Sequence, residues 1–415
     1  MKKLDLEQLS SLVNGDGVAF RVQQRLQPAG GPGDKVFPPT YATGDRNLKY
    51  AVERRRIDGR DVETVLLDSV ASQANRMEEA LLEAWTREQL LFPIVGVDFT
   101  TEKELADLGS ITTLQAPHRI ADAILRDATT ADGKAFFRET PEGKAYTAAT
   151  PRNATAVYLL CPTALVFGVW DSTGPKGGLG AKFQRALTSE IVGIDAVTGS
   201  KVGSRLDPLA IVRGVPVYQD KDDRHGWTID PEEAKGGAAK PQLFSGEGKG
   251  TPAAINHSNI PPSIDAASGG VTFDHALQTV VLSLPALRRL RFVTGLDGKA
   301  LAKRDAAERA ARVSLAALAL AGIVHQRAQG YDLRSRCLLV PDSGLVLEIL
   351  RADGASEQIA LGTDDVDALV AAAGKAAEAA GLGWVREPLK LRPAPKLVAL
   401  VKASRGLAAA GTDKD

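Results

Sequence analysis

Apolar and polar residues alternate near the start of the chain, and the pattern then changes to a helical period. The alternation in GVAFRVQQRL predicts a strand over residues 18–26. Two further extended pieces, in KYAVERRRIDGRDVETVLL, flank a predicted turn at Asp58-Gly59. Apolar residues then recur at three- and four-residue steps over about 68–91, which predicts an amphipathic helix.

The middle of the chain switches between apolar runs and polar segments that contain many glycines and prolines. FPIVGVDF predicts a strand, and PHRIADAILRDA predicts a helix that begins with Pro117. Residues 129–152 are polar, whereas ATAVYLLCPTALVFGVW is a core segment interrupted at Pro162. TSEIVGIDA predicts another strand. Residues 196–268 are irregular and rich in Gly, Pro and Lys, which is typical of a functional or disordered insertion.

The last third of the chain has the most regular pattern. A long helix is predicted over 301–328, and RSRCLLV, the turn PDSG and LVLEIL predict a hairpin. A second helix is predicted over 364–381 with Gly381 at its end, and KLVALVK predicts a last strand. This order lacks one strand of a ferredoxin-like βαββαβ unit, and the early strand at 18–26 could supply it.

The charge of the chain is balanced overall and uneven locally. Lys+Arg and Asp+Glu number 51 each, which argues against non-specific coating of nucleic acid but leaves room for a local basic groove. Residues 281–340 are strongly basic, and the segment after them is acidic. A chain with one basic face and one acidic face could bind a polyanion, or its copies could stack head to tail. For the helix at 300–328, a solvated surface with i,i+4 ion pairs is the favoured interpretation.

Composition excludes several classes of protein. The hydrophobic content of 44% is typical of a globular protein with a sizeable core. Cys161 and Cys337 are far apart and do not form a CxxC motif, so we expect neither a disulfide framework nor a cysteine zinc site. The N-terminus lacks the apolar core of a signal peptide, and we expect a cytoplasmic protein without a membrane segment. Aromatic residues make up only 5%, so extended base-stacking platforms are not expected.

The segment WDSTGPKGGLGAKFQRALTSE, residues 170–190, follows an apolar run and resembles a phosphate-binding loop. A Walker A loop needs a lysine followed by Ser or Thr after its last glycine. Ala181 stands at the lysine position here, and Phe183 follows Lys182. The metal-binding hydroxyl is therefore missing, and a nucleoside triphosphate site is not favoured.

The same segment still suits the phosphates of a nucleic acid. Glycines let the main chain approach a phosphate closely, and the nearby lysines, arginine and hydroxyls supply charge and donors. The residues concerned are Ser172, Thr173, Lys176, Gly177, Gly178, Gly180, Lys182 and Arg185. A hairpin loop that is merely solvated explains the composition equally well.

A second polar cluster, INHSN, lies in the irregular insertion. Asn256, His257 and Asn259 could hydrogen-bond bases, sugars or phosphates, but an Asx-rich turn is the better interpretation of the pattern alone. The five histidines have no zinc-hydrolase spacing. His118 could serve as a general base in RNA cleavage, although a lone His beside a helix start is more often structural.

Several long motifs occur in a fixed order along the chain: FPPTYA, VLLDSVASQANRMEEAL, PHRIADAILRD, VFGVWDSTGPKGGLGAKFQRALTSEIVGIDA, INHSNIPPS and FDHALQTVVLSLPALRRLRF. Together they resemble the RAMP-type backbone subunit of type I-G (formerly I-U) CRISPR effector complexes, the Cas-seven-like group. The resemblance covers about residues 15–350.

That resemblance implies an α+β fold: an RRM-like (ferredoxin-like, βαββαβ) palm with large inserted finger and thumb regions. We expect one elaborated domain over 1–415, with the palm at about 14–30, 60–130, 150–200 and 270–405. The insertions would be at about 28–60, 129–152 and 196–268.

The resemblance also implies the partners. They are CRISPR RNA, target DNA through guide pairing, other copies of the chain, a large subunit, a guide-capping subunit and a recruited helicase-nuclease. Base pairing would then read the sequence, with no nuclease activity in this subunit and no cofactor.

Carried onto this sequence, the guide-binding role falls on three segments. They are Ser72, Asn75 and Arg76 on the polar side of the first predicted helix, the loop at 172–185, and residues 256–259. Two alternatives remain open at this point. One is an RNA-cleaving RAMP enzyme that uses His118 or His257, and the other is a nucleotide-binding switch on the glycine loop.

Overall fold

A computed structural model describes residues 3–42, 44, 49–173, 180–223, 225–246, 248–385 and 387–409. It shows a mixed α and β fold that divides into two compact units. The first comprises Met1–Pro39, Val52–Ala196 and Phe273–Ser404, and the second comprises Thr40–Ala51, Val197–Thr272 and Arg405–Asp415. Of the three expected insertions, the one at 196–268 falls almost wholly in the second unit, and the one at 129–152 falls in the first.

The described residues form ten α-helices. In chain order, α1 to α10 are Leu6–Asn14, Val70–Thr86, Ala123–Arg126, Pro141–Thr147, Thr155–Leu160, Thr163–Phe167, Leu284–Arg288, Arg304–Gln329, Thr363–Ala379 and Pro395–Ala409. No helix in this described part of the chain is long and apolar enough to cross a membrane.

Strands β1 to β21 connect these helices within the same described ranges. In chain order they are Gly17–Pro28, Val52–Ile57, Arg60–Asp68, Val95–Asp98, Ser110–Thr112, Ala128–Thr130, Val169–Trp170, Lys182–Phe183, Leu187–Ile194, Val197–Thr198, Lys201–Arg205, Tyr218–Gln219, Trp227–Thr228, Ile260–Asp265, Val271–Thr272, His275–Ser283, Tyr331–Arg334, Cys337–Pro341, Leu347–Arg351, Ser356–Ile359 and Leu389–Pro393.

The first unit is built on a nine-stranded sheet with the order β17-β18-β1-β16-β9-β3-β2, and β19 pairs with both β1 and β20. All its pairings are antiparallel. Helix α2 packs against α8 and β9, and α8 packs against α9. A smaller sheet of the same unit has the order β5-β4-β21-β6. The second unit contains three two-stranded sheets, β10-β15, β11-β14 and β12-β13.

The sequence pattern predicts several of these elements correctly. The strand at 18–26 is β1, the helix at 68–91 contains α2, and TSEIVGIDA contains β9. The turn at Asp58-Gly59 joins β2 to β3, and both of its residues have positive φ. The predicted helix in PHRIADAILRDA is confirmed only for α3, because Arg119 takes a left-handed conformation and breaks the preceding turn.

The predicted hairpin of RSRCLLV and LVLEIL is wrong. Strands β18 and β19 do not pair with each other, because both pair with β1, at its C-terminal and N-terminal ends respectively. The segment between them stays beside β1, where the amide of Asp342 donates to the carbonyl of Arg25. The actual reversals follow β17 at Arg336 and β19 at Gly354, both at positive φ.

The predicted last strand, KLVALVK, is also wrong, because this segment lies in helix α10. Leu397, Val398 and Val401 pack against the core, whereas Leu400 is exposed, which is a helical spacing. The strand in this region is β21, just before the helix, and it pairs in parallel with β4. The expected βαββαβ unit therefore cannot consist of the elements that the C-terminal pattern proposed.

The interpretation of the long basic helix as a solvated surface is wrong as well. Arg304 and Arg312 form i,i+4 ion pairs with Glu308, as the charge pattern suggests. Most of α8 is nevertheless buried, from Ala311 to Gln326 without a break. Its alanine-rich sequence lets neighbouring helices approach on several sides, so the helix is a core element of the first unit.

Candidate nucleic-acid groove

The glycine- and lysine-rich loop is carried by a short two-stranded ribbon, β7–β8, in the first unit. Val169 pairs with Phe183 and Trp170 with Lys182. Side chains alternate across a strand, so one pair points inward and the other outward. Val169 and Phe183 are buried, whereas Trp170 and Lys182 are exposed. Lys176, Gly177 and Gly178 lie outside the described residues.

The base of this ribbon is fixed to the body of the first unit through main-chain carbonyls. The Arg119 Nη1 donates to the carbonyl of Gly168 at 3.0 Å, and the Arg185 Nε donates to the carbonyl of Phe167 at 3.1 Å. Gly168 has a φ of 86°, which glycine adopts readily and other residues do not. Because these contacts involve backbone atoms, they hold the direction in which the ribbon leaves helix α6.

Arg119 belongs to a buried ion pair with Glu78 of α2. Its Nε and Nη2 donate to the two carboxylate oxygens of Glu78 at 2.7 and 2.6 Å. Burial raises the pKa of the Glu78 carboxyl, and the guanidinium of Arg119 opposes that rise. The guanidinium also lies 5.5 Å from the ring centroid of Phe167. Helix α2, the Pro117–Arg119 segment and the base of the ribbon are thereby joined.

Between these elements lies a groove of about 870 Å³, which we call the ribbon groove. It brings together four predicted site residues that are distant in sequence: Asn75 of α2, and Ser172, Lys182 and Arg185 of the hairpin. Its full lining is Ala71, Asn75, Pro117, His118, Arg119, Pro151, Phe167, Gly168, Val169, Trp170, Ser172, Lys182, Phe183, Gln184 and Arg185.

The charge of the ribbon groove favours anions. None of the described lining residues is acidic, whereas Lys182 and Arg185 are both basic. Lys182 contacts the ring of Trp170, Arg185 donates to the carbonyl of Phe167, and neither forms an ion pair within the described part of the chain. The carboxylate of Asp171, next to the lining residue Ser172, is buried and already bonded to Arg138 and Tyr146. Two cations in a recess without carboxylates can hold phosphate groups.

Two other predicted site residues, Ser72 and Arg76, take part in an internal hydrogen-bond network instead. The fully buried carboxylate of Asp68 accepts from the Ser72 hydroxyl at 2.7 Å, from the Gln73 amide at 2.6 Å and from the Arg76 Nε at 2.9 Å. Arg76 also donates to the carbonyl of Leu333. Both side chains therefore have a structural role within the fold, and their contact with RNA stays a prediction.

The network continues beneath the main sheet and ties its strands to the helices. Gln73 accepts from Ser189 of β9 at 2.8 Å and from Gln278 of β16 at 2.9 Å. Gln278 in turn accepts from the hydroxyl of Tyr331 at 2.8 Å. Polar groups buried in this way must be bonded, so the network specifies which strand lies beside which helix.

The INHSN motif lies in the second unit and forms a tight turn. Arg205 donates to the carbonyls of His257 and Ser258, and the Asn259 side chain accepts from the amide of Asp207 at 2.7 Å. The Asp207 carboxylate accepts from the amide of Ser258, and this bond lowers its pKa. The geometry thus assigns the motif a turn-forming role. RNA contact by Asn256, His257 and Asn259 stays a prediction.

Three residues that shape or line the ribbon groove, Glu78, Arg119 and Trp170, were not among the predicted site residues. Glu78 and Arg119 carry no local signal, because nothing in the chain indicates that they meet across 41 residues. Trp170 did carry one, since it directly follows buried Val169 in a short extended segment. Alternation alone places its side chain on the outer face beside Lys182.

Replacing Gly168 with alanine is expected to destabilise the protein by about 1–3 kcal/mol, because alanine is strained at this positive φ. Its Cβ would also lie 2.8 Å from the Cγ of Arg185 and 3.2 Å from the carbonyl oxygen of Phe183. Thermal unfolding checks this, with Gly59→Ala as a control that has positive φ but no atom within contact. Equal losses in the two variants would show that backbone strain alone is responsible.

Comparison with known protein families indicates the class of protein to which this groove belongs. Residues 20–198 match the family model of the CRISPR-associated protein GSU0053. The matched segment is less than half of the chain, yet it contains every residue that lines the ribbon groove. The match supports a CRISPR-associated protein. No curated protein is significantly similar to the chain in sequence.

Proposed function

We propose that this protein is a non-catalytic backbone subunit of a type I CRISPR surveillance complex and that it binds guide RNA in the ribbon groove. The observation that carries the proposal is the groove itself. It joins Asn75, Ser172, Lys182 and Arg185 in a recess whose described lining contains no acidic side chain. Such a surface suits the sequence-independent grip on a phosphate backbone that guide binding requires.

The connectivity of the main sheet supports the RRM-like palm of this proposal. Elements β1, α2, β9, β16, α8 and β18 follow one another along the chain in the order βαββαβ. Their strands are neighbours in the sheet as β18-β1-β16-β9. This is the element order of a split ferredoxin-like unit, with the β2–β3 hairpin added before α2. The elements differ from those that the C-terminal sequence pattern suggested.

The family match supports the biological setting. A CRISPR-associated protein that holds the guide backbone would leave the bases available for pairing with target DNA. Further copies of the chain, a large subunit, a guide-capping subunit and a helicase-nuclease are the partners of this proposed role.

A second candidate, RNA cleavage, rests on His118, which lines the same groove. General base catalysis by histidine usually needs a group that orients the imidazole. Among the described residues no carboxylate is hydrogen-bonded to the His118 imidazole; the neighbouring Asp122 carboxylate accepts from the main-chain amide of His118 at 3.2 Å instead, which favours binding without cleavage. Incubation with labelled repeat RNA separates the two candidates: specific cleavage that His118→Ala abolishes would replace the first proposal with the second.

Removing the two groove cations is expected to weaken RNA binding mainly at low salt. For Lys182→Ala and Arg185→Ala, each lost phosphate contact should reduce the slope of log K against log salt by about 1. Titration of a CRISPR RNA at several salt concentrations measures that slope. Lys134→Ala removes an exposed lysine of the same unit that does not line the groove and serves as the control. Unchanged affinity and slope in both groove variants would refute the site.

A further inference from the structure

Trp170 is an exposed aromatic residue of the ribbon groove, and a cation lies beside its ring. Its side chain is 53% exposed, although tryptophan is usually mostly buried. The Nζ of Lys182 lies 4.9 Å from the centroid of the indole ring. Both side chains come from the outer pair of the β7–β8 ribbon and line the groove.

The other aromatic rings of the groove are not available in this way. Phe167 and Phe183 also line the recess, but they are buried, with 1% and 4% exposure. They form its floor and pack against the hydrophobic core. Trp170 is therefore the one aromatic side chain among the described lining residues that a ligand can cover with a flat face.

An indole beside an ammonium group matches the two chemical parts of a nucleotide. A nucleobase offers a π-face that stacks on an aromatic ring, and its phosphate offers a negative charge to a lysine. Arg185 lines the same recess, so a second phosphate of the same strand has a cation within the groove. In a duplex both faces of a base are covered by its neighbours, and this arrangement therefore suits a single strand.

We propose that Trp170 stacks on one nucleobase of the bound single strand while Lys182 contacts an adjoining phosphate. The inference rests on the proposed binding of RNA in the ribbon groove and extends it with a base contact. Stacking involves the face of the base, so the contact tolerates any sequence. It is also non-ionic, so it contributes to affinity without contributing to the salt dependence.

The test compares a short oligoadenylate with an abasic ribose-phosphate oligomer of the same length. Trp170→Leu is expected to weaken binding of the oligoadenylate roughly 5- to 150-fold, because leucine offers no ring face on which a base can stack. Binding of the abasic oligomer should not change. The slope of affinity against salt should also stay as in the wild type, in contrast to Lys182→Ala. Trp170→Phe, which keeps a smaller ring, should lose less.

Trp227→Leu is the matched control, because Trp227 is similarly exposed, at 49%, but lies in the second unit. It should bind both oligomers as the wild type does. If Trp170→Leu weakens both oligomers equally, or neither, the stacking contact is refuted and RNA binding by the groove stands. If the wild-type protein binds neither oligomer at any salt concentration, the proposed function fails together with the inference.

Discussion

Replacing Arg119 with methionine is expected to lower the free energy of unfolding by about 3–5 kcal/mol, because the substitution leaves the carboxylate of Glu78 buried without its partner. Both members of the pair are almost fully buried, and both carboxylate oxygens accept from the guanidinium. The carbonyl of Gly168 would lose its donor as well. Chemical denaturation of the two proteins measures the difference.

The pH dependence of that loss identifies its cause. Burial raises the pKa of Glu78, and the arginine opposes the rise, so the pKa should be higher still in Arg119→Met. A folded carboxyl with a raised pKa binds protons that the unfolded chain does not, and stability falls as the pH rises above the ordinary value of 4.5. The destabilisation should therefore be smaller at pH 5 than at pH 8.

Two comparisons control this experiment. Arg87→Met removes an exposed arginine of an i,i+4 pair with Glu83, and it should cost less than about 0.5 kcal/mol. The double variant Glu78→Met/Arg119→Met removes both charges and should recover much of the loss, because a buried pair contributes less than the penalty of breaking it. A loss that is independent of pH and equal in the single and double variants would contradict the account.

The second large effect is expected at Asp68, where an asparagine should destabilise the protein by about 3 kcal/mol. The carboxylate accepts from Ser72, Gln73 and Arg76, and Arg334 lies 3.4 Å away. An amide has one acceptor oxygen and no charge, so it cannot satisfy these donors together. The two arginines are each about a quarter exposed, which keeps the expected loss at the lower end of the range for buried pairs.

Asp61→Asn provides the matched control, because Asp61 lies on the same strand, β3, in an exposed pair with Arg56. It should change stability by less than about 1 kcal/mol. If the two asparagine variants unfold at the same denaturant concentration, the network beneath the sheet does not stabilise the fold. The rate of backbone amide hydrogen exchange in β9 and β16 should also increase in Asp68→Asn, since Gln73 links both strands to this carboxylate.

Elements whose pattern is local were predictable from the sequence. The period of α2, the alternation of β1 and the turn at Asp58-Gly59 are set by neighbouring residues, and the structure contains all three. Which strands pair with each other in the sheet was not predictable in the same way. The fact that β18 and β19 share one edge of β1 depends on a strand more than 300 residues earlier in the chain. The apolar segment KLVALVK in α10, with two valines, favoured a strand locally, whereas tertiary packing stabilises it as a helix.

The candidate site also has features that are set locally and features that depend on distant residues. The charges and glycines of the 172–185 loop are compatible with a phosphate ligand, but a solvated hairpin loop has the same composition. Their meeting with Asn75 depends on the ion pair of Arg119 with Glu78 and on the backbone of Gly168, which no local pattern reveals. Arg76 shows the opposite limit: its place on the polar side of a helix does not reveal that it is bonded to Asp68, and its contact with RNA stays a prediction.

The sheet neighbours of strand β1 come late in the sequence, and this affects folding during synthesis of the chain. Its neighbours in the sheet, β16 and β18, are synthesised about 250 and about 310 residues after it. At about 5–20 residues per second, a nascent β1 keeps both edges unpaired for at least about 12 seconds. A fragment limited to the family-matching residues 20–198 would contain most of β1 and all of β9 but not β16, which lies between them. Such a fragment would carry the whole groove lining on an interrupted sheet, so expression and binding experiments require the full chain.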